Sequence, residues 1–103
     1  MPPGRYLLGG DAVELPPDGS APVRPDGTLA GSALRMDLAL KNAVGVGLGL
    51  AEAVSAASRI PADLIGRPDL GRLAPGAAAD LAWLGDDLCT IATWVAGEQV
   101  YTR

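Results

Sequence analysis

The chain has 103 residues, a net charge of −4, and neither histidine nor phenylalanine. This length is enough for one domain, and because aromatic residues make up only 4% of it, a core must rely on Ala, Leu and Val. The Lys and Arg residues are scattered, so no basic cluster is available to neutralise phosphates. Composition therefore argues against nucleic acid or an anionic membrane as a partner.

The N-terminal residues contain no basic region followed by an apolar stretch, so they do not predict a secretory signal. The longest apolar run, from Ala43 to Ala51, is far shorter than the about 20 residues that a membrane-spanning helix needs. The single cysteine, Cys89, cannot form an internal disulfide or, by itself, a metal site. We expect Cys89 to be a small buried side chain in a strand, and we expect a reducing, cytoplasmic setting.

The first segment predicts a β-hairpin. Residues 5–8 and 11–15 are strand-like and flank Gly9-Gly10, a pair that suits the positive φ angles of a tight turn. Residues 16–20 are rich in Pro, Asp, Gly and Ser, and they predict a surface loop.

The middle of the chain predicts helices. Ser32 is a suitable N-cap for a helix over residues 33–44, and the glycine-rich residues 45–49 interrupt helicity. A second helix is expected over residues 50–58, and a third, short helix is expected to begin at Pro61. Gly66 is placed to end it in a left-handed conformation.

The last segment predicts strands over residues 80–84, 90–95 and 99–102, the last two joined across Ala96-Gly97-Glu98. Trp83 and Trp94 lie in apolar strands, which favours core packing over ligand stacking. The order is strands, helices and strands, with no linker polar enough to separate two domains, so we expect the two β segments to meet in space.

The residue types exclude several chemistries. Without an imidazole, neither a Ser-His-Asp nor a Cys-His arrangement is possible, and catalytic zinc sites usually include histidine. The acidic pair Asp86-Asp87 is better explained as a solvated loop, because neighbouring side chains in a turn point apart. Residues 45–49 lack the spacing of a dinucleotide loop and follow a helix. We therefore predict no catalytic residue and no metal ligand in this chain.

Three stretches carry a family resemblance. Residues 26–36, DGTLAGSALRM, with Asn42 beyond them, resemble a D-G-T-L-A-G-S-x-L-T-M motif, and residues 1–10 resemble a stretch ending in G-x-Y-x-L-G-G. Residues 71–81, GRLAPGAAADL, match G-x-L-x-P-G-x-x-A-D-L, which is shared across the amidohydrolase superfamily. Together they resemble the C-terminal part of N-acetylglucosamine-6-phosphate deacetylases.

The resemblance implies the α/β class: the chain would be a C-terminal fragment of a metal-dependent (β/α)8 barrel hydrolase, with part of a small β-sandwich assembled from both chain ends. Residues 1–32 would be a β-ribbon and substrate loop, residues 33–66 helices at the barrel end, and residues 67–103 strands of the sandwich. Such an enzyme hydrolyses the acetamide of N-acetylglucosamine 6-phosphate, using a divalent metal of the zinc or iron type and an aspartate that this chain would not supply.

The resemblance also implies substrate contacts at Leu29, Ala30 and Gly31, near the acetyl group. Arg35 stands where the family usually has threonine, so its cation must reach water or an acid. Asp37 is close in sequence, although residues so near each other on a helix do not face one another.

Several interpretations stay open. The chain is expected to be a C-terminal fragment that is inactive alone, a subunit that complements a separately made barrel, or a small structural domain, and a homodimer is possible. An amidohydrolase acting on another sugar or on a cyclic amide would fit residues 71–81 but not residues 26–36.

Overall fold

The computed structural model describes residues 2–103. The chain divides into two compact units, one ending at Leu34 and the other comprising Arg35–Arg103. Each unit has its own secondary structure and its own small core, and each is considered separately.

The first unit is built on the predicted hairpin, which is confirmed. Strands β1 (Gly4–Leu8) and β2 (Asp11–Leu15) pair antiparallel, with Leu8 opposite Asp11. Gly9 and Gly10 have φ angles of 59° and 92°, values that a two-residue type I′ turn requires and that glycine adopts without steric cost. Val13 and Leu15 on β2 are buried, because alternate residues of a strand share one face.

Three helices begin the second unit: α1 (Met36–Gly45), α2 (Leu50–Ala57) and α3 (Arg59–Leu64). The prediction that Ser32 caps α1 is wrong. The Ser32 hydroxyl oxygen accepts a hydrogen bond from the amide of Leu34 at 3.0 Å, and this local turn competes with helix. The helix starts only after Arg35, whose extended backbone occupies the N-cap position.

The ends of α3 follow from backbone chemistry. Pro61 is the third residue of the helix and not the first, as predicted; its missing N–H costs nothing there because first-turn amides have no helical acceptor. Gly66 ends the helix with a φ of 74°, as predicted. The amide of Arg67 donates to the Ala62 carbonyl at 2.9 Å and that of Gly66 to the Asp63 carbonyl at 3.0 Å, which is a Schellman cap.

A three-stranded antiparallel sheet completes the second unit. Its strands are β3 (Leu81–Leu84), β4 (Thr90–Val95) and β5 (Glu98–Thr102), with β4 in the centre. The turn between β4 and β5 contains only Ala96 and Gly97, because Glu98 already pairs with Val95. Both turn residues have positive φ angles. Ala96 is therefore held in the left-handed region, which is unfavourable for a residue with a Cβ atom.

The core of the second unit is small: it consists of Leu40, Ala53, Ala62 and Ala92. Trp83 is 59% exposed, so the prediction that it anchors the core is wrong. It lies on an edge strand opposite the small residue Ala92, where little covers its indole. Trp94 is half-buried. Cys89 is also half-buried. It immediately precedes β4, so the prediction that it is a buried residue within a strand is wrong.

The carboxylate of Asp37 joins α1 to the sheet. It accepts hydrogen bonds from the amide and the hydroxyl of Thr90, 53 residues away, each at 3.2 Å. It also pairs with the Arg35 guanidinium at 3.1 and 3.2 Å, and its side chain is only 9% exposed. The pairing with Arg35 is possible because Arg35 lies outside the helix, so the facing rule for helical neighbours does not apply.

Hydrogen bonding sets the charge state of this carboxylate. The Thr90 amide, and after it the Arg35 guanidinium and the Thr90 hydroxyl, hold the pKa of Asp37 below its ordinary value of 3.8, against burial, which raises it. Asp37 is therefore ionised under all ordinary conditions.

We expect Asp37→Asn to lower the free energy of unfolding by about 1 to 2 kcal/mol, because it loses charge-assisted hydrogen bonds to Thr90 and the ion pair with Arg35. Since the folded-state pKa is lowered, the stabilisation is complete above pH 3.8 and disappears as the pH falls through the folded-state value. The difference between the two proteins should therefore shrink in acid, as measured by denaturant unfolding.

The matched control is Asp69→Asn, which removes an exposed carboxylate paired with Arg67 at 2.8 Å. It should leave the free energy of unfolding nearly unchanged, because exposed ion pairs contribute little to stability. Equal losses for the two variants, or a loss at Asp37 that does not change with pH, would contradict the assignment.

Candidate functional site

The predicted substrate loop is the end of a second, shorter hairpin. Val23 bridges Glu14 of β2 on one side and Leu29 on the other. Between them the amide of Arg24 donates to the Thr28 carbonyl, and the amide of Gly27 donates to the Arg24 carbonyl, both at 2.9 Å. Pro25 suits the second position of such a turn, and Gly27, with a φ of 86°, supplies the left-handed residue that closes it.

Asp26 fixes this turn from within. Its carboxylate accepts hydrogen bonds from the Thr28 hydroxyl at 2.7 Å and from the Thr28 amide at 3.0 Å. These two bonds hold the pKa of Asp26 below its ordinary value. The Asp-Gly-Thr sequence of the motif therefore has a structural explanation: it shapes the turn that leads into Leu29.

Leu29, Ala30 and Gly31 follow directly on one extended segment. The amide of Ala30 donates to the Pro22 carbonyl at 2.8 Å, which holds the backbone in place. The Leu29 side chain is 74% exposed, and Gly31 is exposed with a φ of 133°, a conformation open essentially to glycine alone. An apolar side chain and a bare backbone are thus presented together, an arrangement that can contact a small acyl group. Their role in substrate binding remains a prediction.

The donor set of the chain does not fit a divalent metal. Within residues 2–103, no three Cys, Asp or Glu side chains come together, and the chain has no histidine. The Asp87 carboxylate accepts a hydrogen bond from the Cys89 amide at 3.0 Å. The Asp37 carboxylate is already bonded to Thr90 and Arg35. No step that needs a metal is assigned to these residues. Among the described helices, none is long and apolar enough to cross a membrane.

The motif over residues 71–81 is also explained by structure. A methyl group at Gly71 would lie 2.5 Å from the carbonyl oxygen of Ser58, at the junction of α2 and α3, so only glycine fits. At the other end, the Asp80 carboxylate accepts the amide of Ala96 at 2.8 Å and supports the strained turn before β5. The motif connects the helices to the sheet, and none of its residues forms a reactive group.

Two arginines, Arg59 and Arg72, share the carboxylate of Asp63, and the second of them links α3 to this motif. The sequence did not predict these ion pairs. Asp63 on α3 pairs with Arg59 at 3.7 Å and also with Arg72, which is only 26% exposed. The Nε–H group of Arg72 also donates a hydrogen bond to the Leu70 carbonyl at 3.1 Å. The spacing of Arg59 and Asp63 by four residues could have indicated the first pair. The second depends on tertiary structure.

Comparison with known proteins identifies the class. The model of the amidohydrolase family matches residues 16–100. The chain therefore belongs to the amidohydrolase family.

Its relatives include deacetylases of amino-sugar phosphates, which confirms the resemblance seen in the sequence. The chain is 49% identical over 76 residues to the N-acetylgalactosamine-6-phosphate deacetylase of Shewanella sp. (strain ANA-3), covering 73% of this chain and 19% of that protein. It is 38% identical over 100 residues to the putative N-acetylgalactosamine-6-phosphate deacetylase of Escherichia coli (strain K12), covering 95% of this chain and 59% of that protein.

A solved structure gives the same result. The N-acetylglucosamine-6-phosphate deacetylase of Thermotoga maritima matches with a TM-score of 0.78 and 34% identity, over 100% of this chain and 28% of that one. The chain thus spans between about a fifth and three fifths of the length of these proteins.

We expect Gly71→Ala to lower the free energy of unfolding by at least about 2 kcal/mol. The added methyl group would collide with the Ser58 carbonyl oxygen, and the residue has a positive φ of 72°. Gly66→Ala is the matched control, since its φ of 74° is the same but no atom lies within 4 Å of the added methyl group. It should cost about 1 kcal/mol. Thermal unfolding of both variants checks the difference, and equal losses would show that the collision is relieved by movement of α3.

Proposed function

We propose that this chain forms the acetyl-side wall of the substrate site in a deacetylase of N-acetylated amino-sugar 6-phosphates. The reaction is hydrolysis of the acetamide: water adds to the acyl carbon, the C–N bond breaks, and acetate and the free amino-sugar phosphate are released. The contribution of this chain is to bind and orient the acetyl group.

The observation that carries the proposal is the geometry of Leu29, Ala30 and Gly31. The hydrogen bond from the Ala30 amide to the Pro22 carbonyl holds the backbone of this segment, and the Leu29 side chain projects from it with 74% exposure. An exposed apolar side chain can pack on a methyl group, and a glycine lets a planar amide approach closely. Both features match an acetamide.

N-acetylglucosamine 6-phosphate is the substrate that the resemblance favours. N-acetylgalactosamine 6-phosphate is the second candidate, supported by the 49% identity with the Shewanella relative. The two sugars differ only in configuration at C4, whereas the acetamide is attached at C2. A wall that contacts the acetyl group would therefore serve either sugar, and other residues would distinguish them.

The reactive groups would come from outside these 103 residues. In the proposed enzyme they comprise a divalent metal of the zinc or iron type and an aspartate that transfers protons, within a (β/α)8 barrel and its small β-sandwich. Large apolar side chains exposed in both units support a larger assembly, among them Leu7 at 78% and Leu64 and Leu73 at 85%. The single free cysteine supports a cytoplasmic setting.

The test is a chimera in which this chain replaces the aligned 28% of the Thermotoga maritima enzyme. We expect it to release acetate from at least one of the two sugar phosphates. Leu29→Ala in the chimera should lower kcat/KM by about tenfold, because truncation removes apolar contact with the acetyl group. Glu98→Ala, at an exposed residue of β5 outside the loop, is the control and should leave kcat/KM unchanged.

An active chimera in which Leu29→Ala behaves like Glu98→Ala would remove Leu29 from the site. A folded chimera that cleaves neither sugar phosphate would contradict the proposed activity and favour a structural role for the chain.

A further inference from the structure

The first unit contains nearly the same turn sequence twice. Residues 17–20 are Pro-Asp-Gly-Ser, and residues 25–28 are Pro-Asp-Gly-Thr. In each turn the Asp carboxylate accepts hydrogen bonds from the amide and the hydroxyl two residues later, at 3.0 and 2.6 Å from Ser20 and at 3.0 and 2.7 Å from Thr28. Both Asp-Gly pairs are exposed. The two turns are therefore matched in sequence, in exposure and in the bonding of the carboxylate.

An Asp-Gly sequence can rearrange with water as the only other reactant. The glycine nitrogen attacks the side-chain carboxyl carbon of the aspartate, the N–H proton and the carboxyl OH leave as water, and a five-membered succinimide forms. When water then adds to the α-carbonyl and the C–N bond there breaks, the backbone runs through the side chain and the residue is isoaspartate. Glycine favours the attack because it has no Cβ to hinder the approach.

The two turns differ in how firmly the attacking nitrogen is held. The glycine peptide must rotate for the ring to close, so its N–H must leave its acceptor. The amide of Gly27 donates to the Arg24 carbonyl at 2.9 Å, whereas that of Gly19 donates to the Pro16 carbonyl at 3.4 Å, beyond the ordinary range for such a bond. The nitrogen of Gly19 is therefore the less restrained of the two.

A proline explains the looser turn. The amide of Arg24 donates to the Thr28 carbonyl at 2.9 Å and closes the second turn across its ends. Pro16 occupies the equivalent position in the first turn, and proline has no N–H to donate. The corresponding bond to Ser20 cannot form, so the difference between the turns is encoded in the sequence.

We propose that Asp18 is a site of spontaneous isoaspartate formation, and that the backbone bonds of the second turn protect Asp26 from the same reaction. Isoaspartate adds one carbon to the backbone. At residue 26 this extra carbon would lengthen the turn that leads into Leu29. At residue 18 it falls in a loop whose ends are joined by the mutual hydrogen bonds of Glu14 and Val23, at 2.8 and 3.0 Å.

The test is to keep the folded chain in warm, neutral buffer for several weeks and to measure isoaspartate at each position. Trypsin releases residues 6–35 as one peptide, because the Arg24-Pro25 bond resists it, and electron-transfer fragmentation distinguishes isoaspartate from aspartate at each residue. We expect isoaspartate to form about tenfold faster at Asp18 than at Asp26, because the second turn must break stronger bonds to react. In urea, where both turns are lost, the two rates should be similar.

Two variants at one position test the cause. Arg24→Pro removes the N–H that closes the second turn, and it should raise the rate at Asp26 towards that at Asp18. Arg24→Ala is the matched control: it loses the same guanidinium, with its pair to Asp11 at 3.8 Å, but it keeps the N–H and should leave the rate at Asp26 low.

Pro16→Ala is the converse change, and it keeps the proposal testable if Arg24→Pro does not fold. It supplies an N–H to the first turn and should slow the reaction at Asp18. Circular dichroism checks that each variant is folded.

Three outcomes would overturn the proposal. Asp26 could react as fast as Asp18 in the folded chain, or Asp18 could stay unmodified when folded although it reacts in urea. In the third outcome the ratio of the two rates would be the same in urea as in buffer, which would assign the difference to neighbouring residues and not to the turns.

Discussion

The carboxylate of Asp37 is the interaction on which the second unit depends. It is half-buried, it accepts hydrogen bonds from both polar groups of Thr90 across 53 residues, and it pairs with the Arg35 guanidinium. A partly buried carboxylate that lost these partners would keep part of its desolvation cost without compensation, so these bonds hold the helix and the strand together. Arg35 can pair with Asp37 because its extended backbone lies outside α1, at the N-cap position.

Such polar links matter here because the apolar core is slight. In the second unit it contains one leucine and three alanines, and no large side chain in the described residues is fully buried. Close backbone approaches compensate in part. Gly71 lets the segment before the sheet lie against the Ser58 carbonyl, and Asp80 holds the strained turn at Ala96. Arg72 links the same segment to α3 through Asp63.

Local chemistry was predictable from the sequence, and tertiary contacts were not. Gly9-Gly10 and Gly66 were placed correctly because their roles depend on φ angles that only their neighbours constrain. Ser32 was misplaced as a cap because its hydroxyl closes a local turn with the amide of Leu34, and the helix begins only after the extended Arg35. Trp83 was misplaced in a core because its apolar strand lies at a sheet edge that little covers. The loop over residues 26–31 was found by resemblance, and its turn geometry could have been derived from Pro25, Asp26 and Gly27.

In the proposed enzyme, this chain would bind the acetyl group through Leu29 to Gly31 and would supply no reactive group; the described residues form no metal site. The most direct test is acetate release by the purified chain alone, supplied with zinc or ferrous ions and either N-acetylglucosamine 6-phosphate or N-acetylgalactosamine 6-phosphate. We expect no release above the rate in buffer with the same metal. Sustained release that scales with protein concentration and is lost on chelation would contradict it.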